Sequence, residues 1–447
     1  MNDTIAAIST TLGVGAISII RVSGKDAINK VNNIASIDLT KKKSHTISYG
    51  YIKEKNEIID EVLITLMKAP KTFTTEDTIE INCHGGIATT EKVLELLLKQ
   101  GIRLAEPGEF TKRAFLNGRI DLTKSQAVSD LISVKSDKAR KLAINNLTGT
   151  TSNKIKDLRE KLINIISNIE VNIDYPEYED IEVVTIDKIK NEIDSIEEDL
   201  DRIIENSNKG KVITNGINVA IIGRPNVGKS SILNKLIEED KAIVTDIPGT
   251  TRDIVEASFN LNGIIFNLVD TAGIRETEDI VEKIGVEKSK KVLKNADLVI
   301  LVLNNNESLT EEDEKLLGIS KDKKRIIVIN KKDLDKKLEI KDKNIIYTSA
   351  TENDGVEDLI NKISEMYKLE EIDTNDFYYI SNIEQLNKIK QTKDNIKSIK
   401  EGLNNNLPID MLEIDLKQIW TILGEVIGET YTEELLDNLF SKFCLGK

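Results

Sequence analysis

One run of nine residues, GRPNVGKSS at Gly223–Ser231, constrains the fold of this chain more than any other feature. It follows the apolar run INVAIIG and precedes ILNKLIEE, a good helix former. In that strand–loop–helix context the pattern G-x-x-x-x-G-K-[ST] indicates a phosphate-binding loop, because successive backbone N–H groups and a helix N-terminus attract phosphate oxygens. We predict that Lys229 reaches the terminal phosphates of a nucleotide and that Ser230 binds Mg²⁺.

Two later segments predict which base the nucleotide carries. NKKD (Asn330–Asp333) follows the apolar run RIIVIN, and TSA (Thr348–Ala350) follows the next one. The Asp333 carboxylate can accept hydrogen bonds from guanine N1–H and the 2-amino group, which adenine lacks. In this order, behind a phosphate loop, the segments predict GTP.

Two further segments match the mobile switch regions of a GTPase. TDIPGTTRD starts at Thr245, and DTAG spans Asp270–Gly273. We expect Thr251 to bind Mg²⁺ when the γ-phosphate is present, and Asp270 to hold the ion through water. The predicted GTP-binding residues are Asn226, Val227, Gly228, Lys229, Ser230, Ser231, Thr245, Thr250, Thr251, Asp270, Thr271, Ala272, Gly273, Asn330, Lys331, Asp333, Ser349 and Ala350.

The apolar patterns predict several domains. Residues 1–118 alternate short apolar runs with turn residues, which favours a small α+β domain. Near-continuous apolar runs at 214–370 favour a parallel sheet covered on both faces, the GTPase domain. Apolar residues at steps of three and four in 119–213 and again in 371–447 predict two halves of one helical domain, into which the GTPase domain is inserted.

Composition limits the function classes. The net charge of the 447 residues is −14, although residues 1–120 hold 16 Lys and Arg against 14 Asp and Glu, so any contact with nucleic acid is local or shared with a partner. The two cysteines exclude a disulfide framework and a four-cysteine zinc site. No apolar run reaches the roughly 18 residues of a membrane span, and no signal peptide precedes the domain, so we expect a cytoplasmic protein.

Taken together, these motifs closely resemble the MnmE (TrmE) family of tRNA modification GTPases. The resemblance rests on GRPNVGKSS, TDIPGTTRD, DTAGIRE, NKKD and the terminal FCLGK, and on the N-terminal stretches DTIAAIST, GAISIIRVSG, APKTFTTEDTIEINCHGG and EPGEFTKRAFLNGRIDL. It covers nearly the whole chain. It implies an N-terminal α+β folate-binding and dimerisation domain, a helical domain and an inserted Ras-like P-loop GTPase domain.

The resemblance also implies how GTP is hydrolysed. Ile274 stands where Ras-type GTPases have the glutamine that orients water, and it cannot form that hydrogen bond. In the family a K⁺ ion supplies the missing charge and a glutamate, here Glu282, orients the water. By its spacing alone Glu282 is one carboxylate of a solvated helix face. The implied K⁺ ligands are Asn226, Thr245, Ile247 and Thr250.

The resemblance implies a second site, which binds a folate and serves the modification of tRNA. The family binds a 5-formyltetrahydrofolate-type folate, at positions that match Arg21, Glu80, Arg119 and Lys447. Cys444 becomes a candidate thiol there, either as a nucleophile or as support for the site. The implied reaction places an aminomethyl-type group at C5 of the wobble uridine of certain tRNAs. The implied partners are a second copy of the chain and a flavoprotein resembling MnmG (GidA), in a heterotetramer-type complex that binds the tRNA.

Two other functions compete with this interpretation. One is a regulatory switch GTPase, such as a ribosome-assembly factor, whose output is partner binding. The other is a folate-binding structural protein whose GTPase domain serves only dimerisation. The folate-site residues and FCLGK disfavour the first, while NKKD, Thr251 and Glu282 disfavour the second.

Overall fold

The computed structural model describes residues 3–174, 186–239, 255–269, 293–352, 354–367, 377–405 and 407–446. The chain divides into two compact units. The first unit consists of Met1–Ile132, Asn145–Ile204 and Asn382–Lys447, and the second of Ser133–Ile144 and Glu205–Ser381. The four domain limits given above stay a prediction.

A six-stranded sheet forms the N-terminal part of the first unit. Its strands are β1 (Ile5–Ile8), β2 (Ile17–Ser23), β3 (Thr46–Glu54), β4 (Glu57–Met67), β5 (Thr78–His84) and β6 (Arg103–Leu104), in the order β3-β4-β5-β2-β1-β6. All neighbours are antiparallel except β1 and β6. Alternate residues such as Ile20, Val22 and Ile81 are fully buried, because side chains alternate between the two faces of a sheet. The predicted α+β class of this part is confirmed.

Helices make up the rest of the first unit. The helices up to the second sheet are α1 (Ala27–Asn32), α2 (Ile87–Lys99), α3 (Glu109–Leu116), α4 (Leu122–Ser133), α5 (Asp137–Thr148), α6 (Thr150–Asp174) and α7 (Ile186–Asn215). Most of α5, and α7 from Glu205 onward, belong to the second unit. The predicted apolar stripe of α6 is buried, at 0–2% exposure: Ile155, Leu158, Leu162, Ile165 and Ile169. On α7 the buried stripe includes Ile189, Ile193, Ile196, Leu200 and Ile203. Spacing of three and four residues therefore identified the packed faces of both helices.

The second unit is a parallel sheet with one antiparallel edge strand. Its strands are β7 (Ile217–Ile222), β8 (Val255–Leu261), β9 (Ile264–Val269), β10 (Leu298–Asn304), β11 (Arg325–Asn330) and β12 (Ile345–Tyr347), in the order β12-β11-β10-β7-β9-β8. Besides most of α5 and the end of α7, the second unit contains the helices α8 (Lys229–Glu239), α9 (Glu311–Ile319) and α10 (Val356–Tyr367). All seven residues of β10 are buried, with Ile300 and Leu301 in hydrophobic clusters on opposite faces. Both faces of the sheet are thus covered, as the apolar runs predicted.

Three C-terminal helices complete the first unit: α11 (Ile383–Asn404), α12 (Ile409–Ile427) and α13 (Glu433–Phe440). α12 packs against both α6 and α11. Helices from before and after the second unit therefore form one bundle, which confirms the predicted insertion. None of the helices in the described ranges has the length and apolar composition needed to cross a membrane.

Candidate functional site

The phosphate loop connects β7 to α8, and its path requires two glycines. A Cβ on Gly223 would lie 2.4 Å from the carbonyl oxygen of Val302. Gly228 has a φ of +98°, and a Cβ there would lie 2.0 Å from Nδ2 of Asn330. Asn226 adopts a φ of +62°, a left-handed conformation that asparagine tolerates better than most residues. The result is a tight turn, without a side chain at either glycine, that leads into a helix N-terminus and fits a phosphate group.

Lys229, the first residue of α8, folds back into this loop. Its Nζ donates to the carbonyl oxygens of Gly223 at 2.9 Å and of Arg224 at 2.7 Å. Burial lowers the pKa of the Lys229 ammonium. The charge is therefore held inside the loop by main-chain acceptors, in the position from which it can meet a phosphate.

Asn330 joins three loops at the carboxyl edge of the sheet. Its Nδ2 donates to the carbonyl oxygen of Val227 at 2.9 Å. Its Oδ1 accepts from Thr348 Oγ1 at 3.2 Å and from Ala350 N at 3.3 Å. The side chain is 2% exposed, so these bonds are shielded from water. One buried amide thus holds the phosphate loop, the NKKD segment and the TSA segment together.

The two residues predicted to recognise guanine are also neighbours. Ser349 Oγ donates to Asp333 Oδ1 at 2.7 Å. The intervening backbone is held by a hydrogen bond from Lys332 N to the Thr348 carbonyl at 3.0 Å, and Lys331 has a φ of +64°. Ser349 therefore orients the Asp333 carboxylate. The sequence analysis assigned both residues to the GTP site but did not predict this hydrogen bond.

Sequence reasoning missed Arg224, the second residue of the loop. Its Nε donates to Asp313 at 2.9 Å and its Nη2 to Glu307 at 2.7 Å. Asp313 is 2% exposed and also accepts from the backbone and hydroxyl of Thr310 at the start of α9. The phosphate loop is therefore tied to α9 by a buried charge. An arginine inside a glycine-rich loop was the only signal in the sequence, and it does not show its partner.

Several predicted site residues lie outside the described residues. They are Thr245, Ile247, Thr250, Thr251, Asp270, Thr271, Ala272, Gly273, Ile274, Glu282 and Lys447. Their assignments stay predictions.

The predicted folate residues Arg21 and Glu80 form an ion pair in the first unit. They face each other on β2 and β5, and Nε and Nη2 of Arg21 lie 2.9 and 2.8 Å from Glu80 Oε1. The remaining arm, Nη1, donates to the carbonyl oxygen of Gly446 at 3.1 Å. The structure therefore brings the C-terminal segment of the chain to this pair.

Arg119 lies on the ring of Phe73. Its guanidinium carbon is 4.9 Å from the ring centroid, and Nη1 donates to the Phe73 carbonyl at 3.1 Å. The two residues line an open groove of about 570 Å³ together with Lys71 and Asn117. Phe73 packs on a small cluster that contains Phe110, and the Arg21 guanidinium lies 5.7 Å from the centroid of that ring.

The two cysteines differ in environment. Cys444 is exposed, whereas Cys83 is buried in β5. Burial, with a smaller contribution from the negative charge of Asp60, raises the pKa of the Cys83 thiol to about 12. Only Cys444 therefore has the access that thiol chemistry requires.

The parallel sheet and the three loops held by Asn330 define the second unit as a P-loop GTPase domain. Two family models match the chain: one described as GTP-binding protein TrmE N-terminus matches residues 4–119, and one described as MnmE helical domain matches residues 122–444. The chain belongs to the MnmE family, and the resemblance stated from the sequence is confirmed.

Curated relatives extend over the whole chain. The tRNA modification GTPase MnmE of Bacillus cytotoxicus is 50% identical over 455 residues, which cover 100% of this chain and 99% of the relative. The tRNA modification GTPase MnmE of Streptococcus agalactiae is 49% identical over 451 residues, which cover 100% and 98%.

Among solved structures, Era bound to MgGDPNP and a segment of 16S ribosomal RNA is 29% identical over 33% of this chain and 56% of that chain, with a TM-score of 0.25. The G domain of the T. maritima FeoB iron transporter is 29% identical over 34% and 98%, with a TM-score of 0.24.

Proposed function

We propose that this chain hydrolyses GTP and that hydrolysis serves the modification of tRNA at C5 of the wobble uridine. The observation that carries the proposal is the buried Asn330 amide, which joins the phosphate loop to the two segments predicted to recognise guanine. The names of the curated relatives support the same activity. In this proposal Lys229 contacts the terminal phosphates, and Ser230 and Thr251 hold Mg²⁺, which neutralises charge on the phosphates.

The hydrolytic step needs a substitute for the missing glutamine at Ile274. We assign it to Glu282, which orients the attacking water, and to K⁺ held by Asn226, Thr245, Ile247 and Thr250. These are neutral oxygen ligands, which suit a weakly hydrated monovalent ion. The left-handed backbone at Asn226 supports the assignment, because it gives the loop a turn at the residue whose side chain is needed.

In this proposal the first unit binds the folate that supplies the one-carbon group for the tRNA modification. We assign a 5-formyltetrahydrofolate-type one-carbon donor to Arg21, Glu80, Arg119 and Lys447. The pairing of Arg21 with Glu80 supports this, since an oriented carboxylate can accept from the N–H groups of a pterin ring. A homodimer and a flavoprotein partner resembling MnmG complete the proposal, and the partner contributes the flavin and part of the tRNA surface.

Mass spectrometry of tRNA nucleosides from cells with and without this protein tests the proposal. Loss of a C5-aminomethyl-type wobble uridine in the deletion strain is the expected result. An unchanged nucleoside profile would favour the alternative, a regulatory switch GTPase. Restoring the gene with Asp333→Asn should fail to recover the nucleoside, because the variant loses the carboxylate proposed to recognise guanine.

Steady-state GTP hydrolysis in K⁺ and in Na⁺ tests the mechanism. We expect turnover to be high only in K⁺, and to fall by orders of magnitude in Glu282→Ala while GTP affinity is retained. The nearby Glu278→Ala is the matched control, since it removes another carboxylate of the same segment. Equal rates in the two salts would remove the K⁺ site from the mechanism.

A further inference from the structure

The C-terminal segment is hydrogen-bonded to the N-terminal 108 residues at two carbonyl groups. The carbonyl oxygen of Gly446 accepts hydrogen bonds from Arg21 Nη1 at 3.1 Å and from Ser9 Oγ at 3.3 Å. Two residues earlier, the carbonyl oxygen of Cys444 accepts from Gly108 N at 3.3 Å. Two carbonyl groups that follow the Cα of the exposed Cys444 are therefore held by groups from the N-terminal 108 residues.

Close packing at Gly446 leaves no room for a side chain. Gly446 has a φ of +85°, which favours glycine. A Cβ there would lie 2.6 Å from the carbonyl oxygen of Ile8 and 2.9 Å from Cα of Ser9. Both neighbours are backbone atoms at the end of β1, so they cannot rotate away. Any side chain at this position must lift the segment from the sheet.

We propose that Gly446 and Ser9 are positioning residues, which dock the C-terminal segment and so set the place of the Cys444 thiol beside the Arg21–Glu80 pair. Two peptide units span at most about 7.6 Å between Cα atoms, so a docked Gly446 keeps Cys444 close to the pair. The inference rests on the proposed function, because only a thiol that takes part in the modification requires a fixed place there.

The test uses the full chain with a nitroxide spin label on Cys444, since Cys83 is buried and is expected not to react in the folded protein. Gly446→Ala should increase the mobility of the label, and Ser9→Ala should increase it less. Gly101→Ala is the matched control: Gly101 has a similar φ of +75°, but a Cβ there would meet only Lys30 Nζ at 3.9 Å. This control should leave the label unchanged.

The second readout is the modification of tRNA by unlabelled protein with its partner. Gly446→Ala should lower the modification rate by about tenfold, the effect expected for losing two hydrogen bonds that hold a reacting group. GTP turnover should stay at the wild-type value in Gly446→Ala and Ser9→Ala, because both residues lie in the first unit.

The outcomes are distinguishable. Unchanged label mobility in Gly446→Ala overturns the docking. Raised mobility with an unchanged modification rate overturns the positioning of the thiol. A wild-type protein that modifies no tRNA overturns the proposed function and the role of the thiol, while raised mobility in Gly446→Ala would still support the docking itself.

Discussion

Replacement of Arg224 by methionine removes the charge that ties the phosphate loop to α9. Methionine retains an apolar stem but leaves Asp313 without its guanidinium partner. Asp313 is 2% exposed and, among the described residues, keeps its hydrogen bonds from Thr310. Breaking a buried ion pair from one side costs about 3–5 kcal/mol, and the retained hydrogen bonds place this case near 2–3 kcal/mol. Glu307 is half exposed, so its pair with Arg224 adds little.

The same change should weaken nucleotide binding. The Arg224 carbonyl accepts from Lys229 Nζ at 2.7 Å, so a shift of Arg224 displaces the lysine predicted to meet the phosphates. We expect the Kd for GDP to rise about tenfold, which corresponds to ~1.4 kcal/mol. Fluorescent GDP titration measures the affinity and urea denaturation measures the stability. Arg224→Lys should recover part of both, since it restores a charge without the two-armed geometry.

Arg325→Met provides the matched control. Arg325 pairs with Asp342 at 2.8 Å and is buried to a similar degree, at 16% exposure against 18% for Arg224. It lies at the first residue of β11, whereas Asn330 ends the strand at the phosphate loop. We expect lower stability but unchanged GDP affinity. If both variants lose affinity equally, general loosening of the domain explains the effect and the reasoning about Arg224 is wrong.

Three further predictions concern the first unit. Arg113→Met should lower the free energy of unfolding by about 3–5 kcal/mol in urea denaturation, because Arg113 is 1% exposed and pairs with Asp3, Glu76 and Glu109. Burial alone would raise the pKa of Glu109, but hydrogen bonds led by the one from Arg103 outweigh it and lower the pKa below the ordinary 4.5. The ionised Glu109 therefore contributes fully to the free energy of unfolding above pH 4.5, and this contribution is lost as the pH falls through the lowered pKa. Denaturation curves at decreasing pH should show this loss of stability. The loss should be smaller in Arg103→Gln, which lacks the leading hydrogen bond. A thiol reagent should modify Cys444 alone in the folded protein and also Cys83 in denaturant, as peptide mass mapping would show.

Much of the fold could be predicted because its determinants are local. The phosphate loop is a contiguous strand, turn and helix start, and each part carries its own residue preference. The buried stripes of α6 and α7 follow from spacing alone. β3 has no such local signal, because it is an edge strand in which only Gly50 and Ile52 are buried and it therefore lacks an apolar run.

The pairings that complete the sites could not be predicted from local pattern. Arg224 and Asp313 are 89 residues apart, and Ser9 and Gly446 are 437 apart. None of these four residues stands out from the residues next to it in the sequence. The partner of each one comes close only when the chain has folded. The family resemblance implies that Arg21 and Glu80 belong to one site, but it did not indicate that they bind each other.

Because Arg21 and Glu80 form an ion pair, the residues proposed to bind folate do not act independently. In the proposed folate site, Glu80 would accept from a pterin and the cations would meet the folate's carboxylates. In the structure, two arms of Arg21 lie on Glu80 Oε1 and the third holds the Gly446 carbonyl. All three arms are thus engaged by the protein, so Arg21 acts first by orienting Glu80 and the C-terminal segment. Substituting either residue changes the charge that the other faces, and their effects on folate binding should therefore be strongly non-additive. Arg119 is held by an aromatic ring and a carbonyl oxygen rather than by a carboxylate, so its charge is available to the folate carboxylate that we propose it binds.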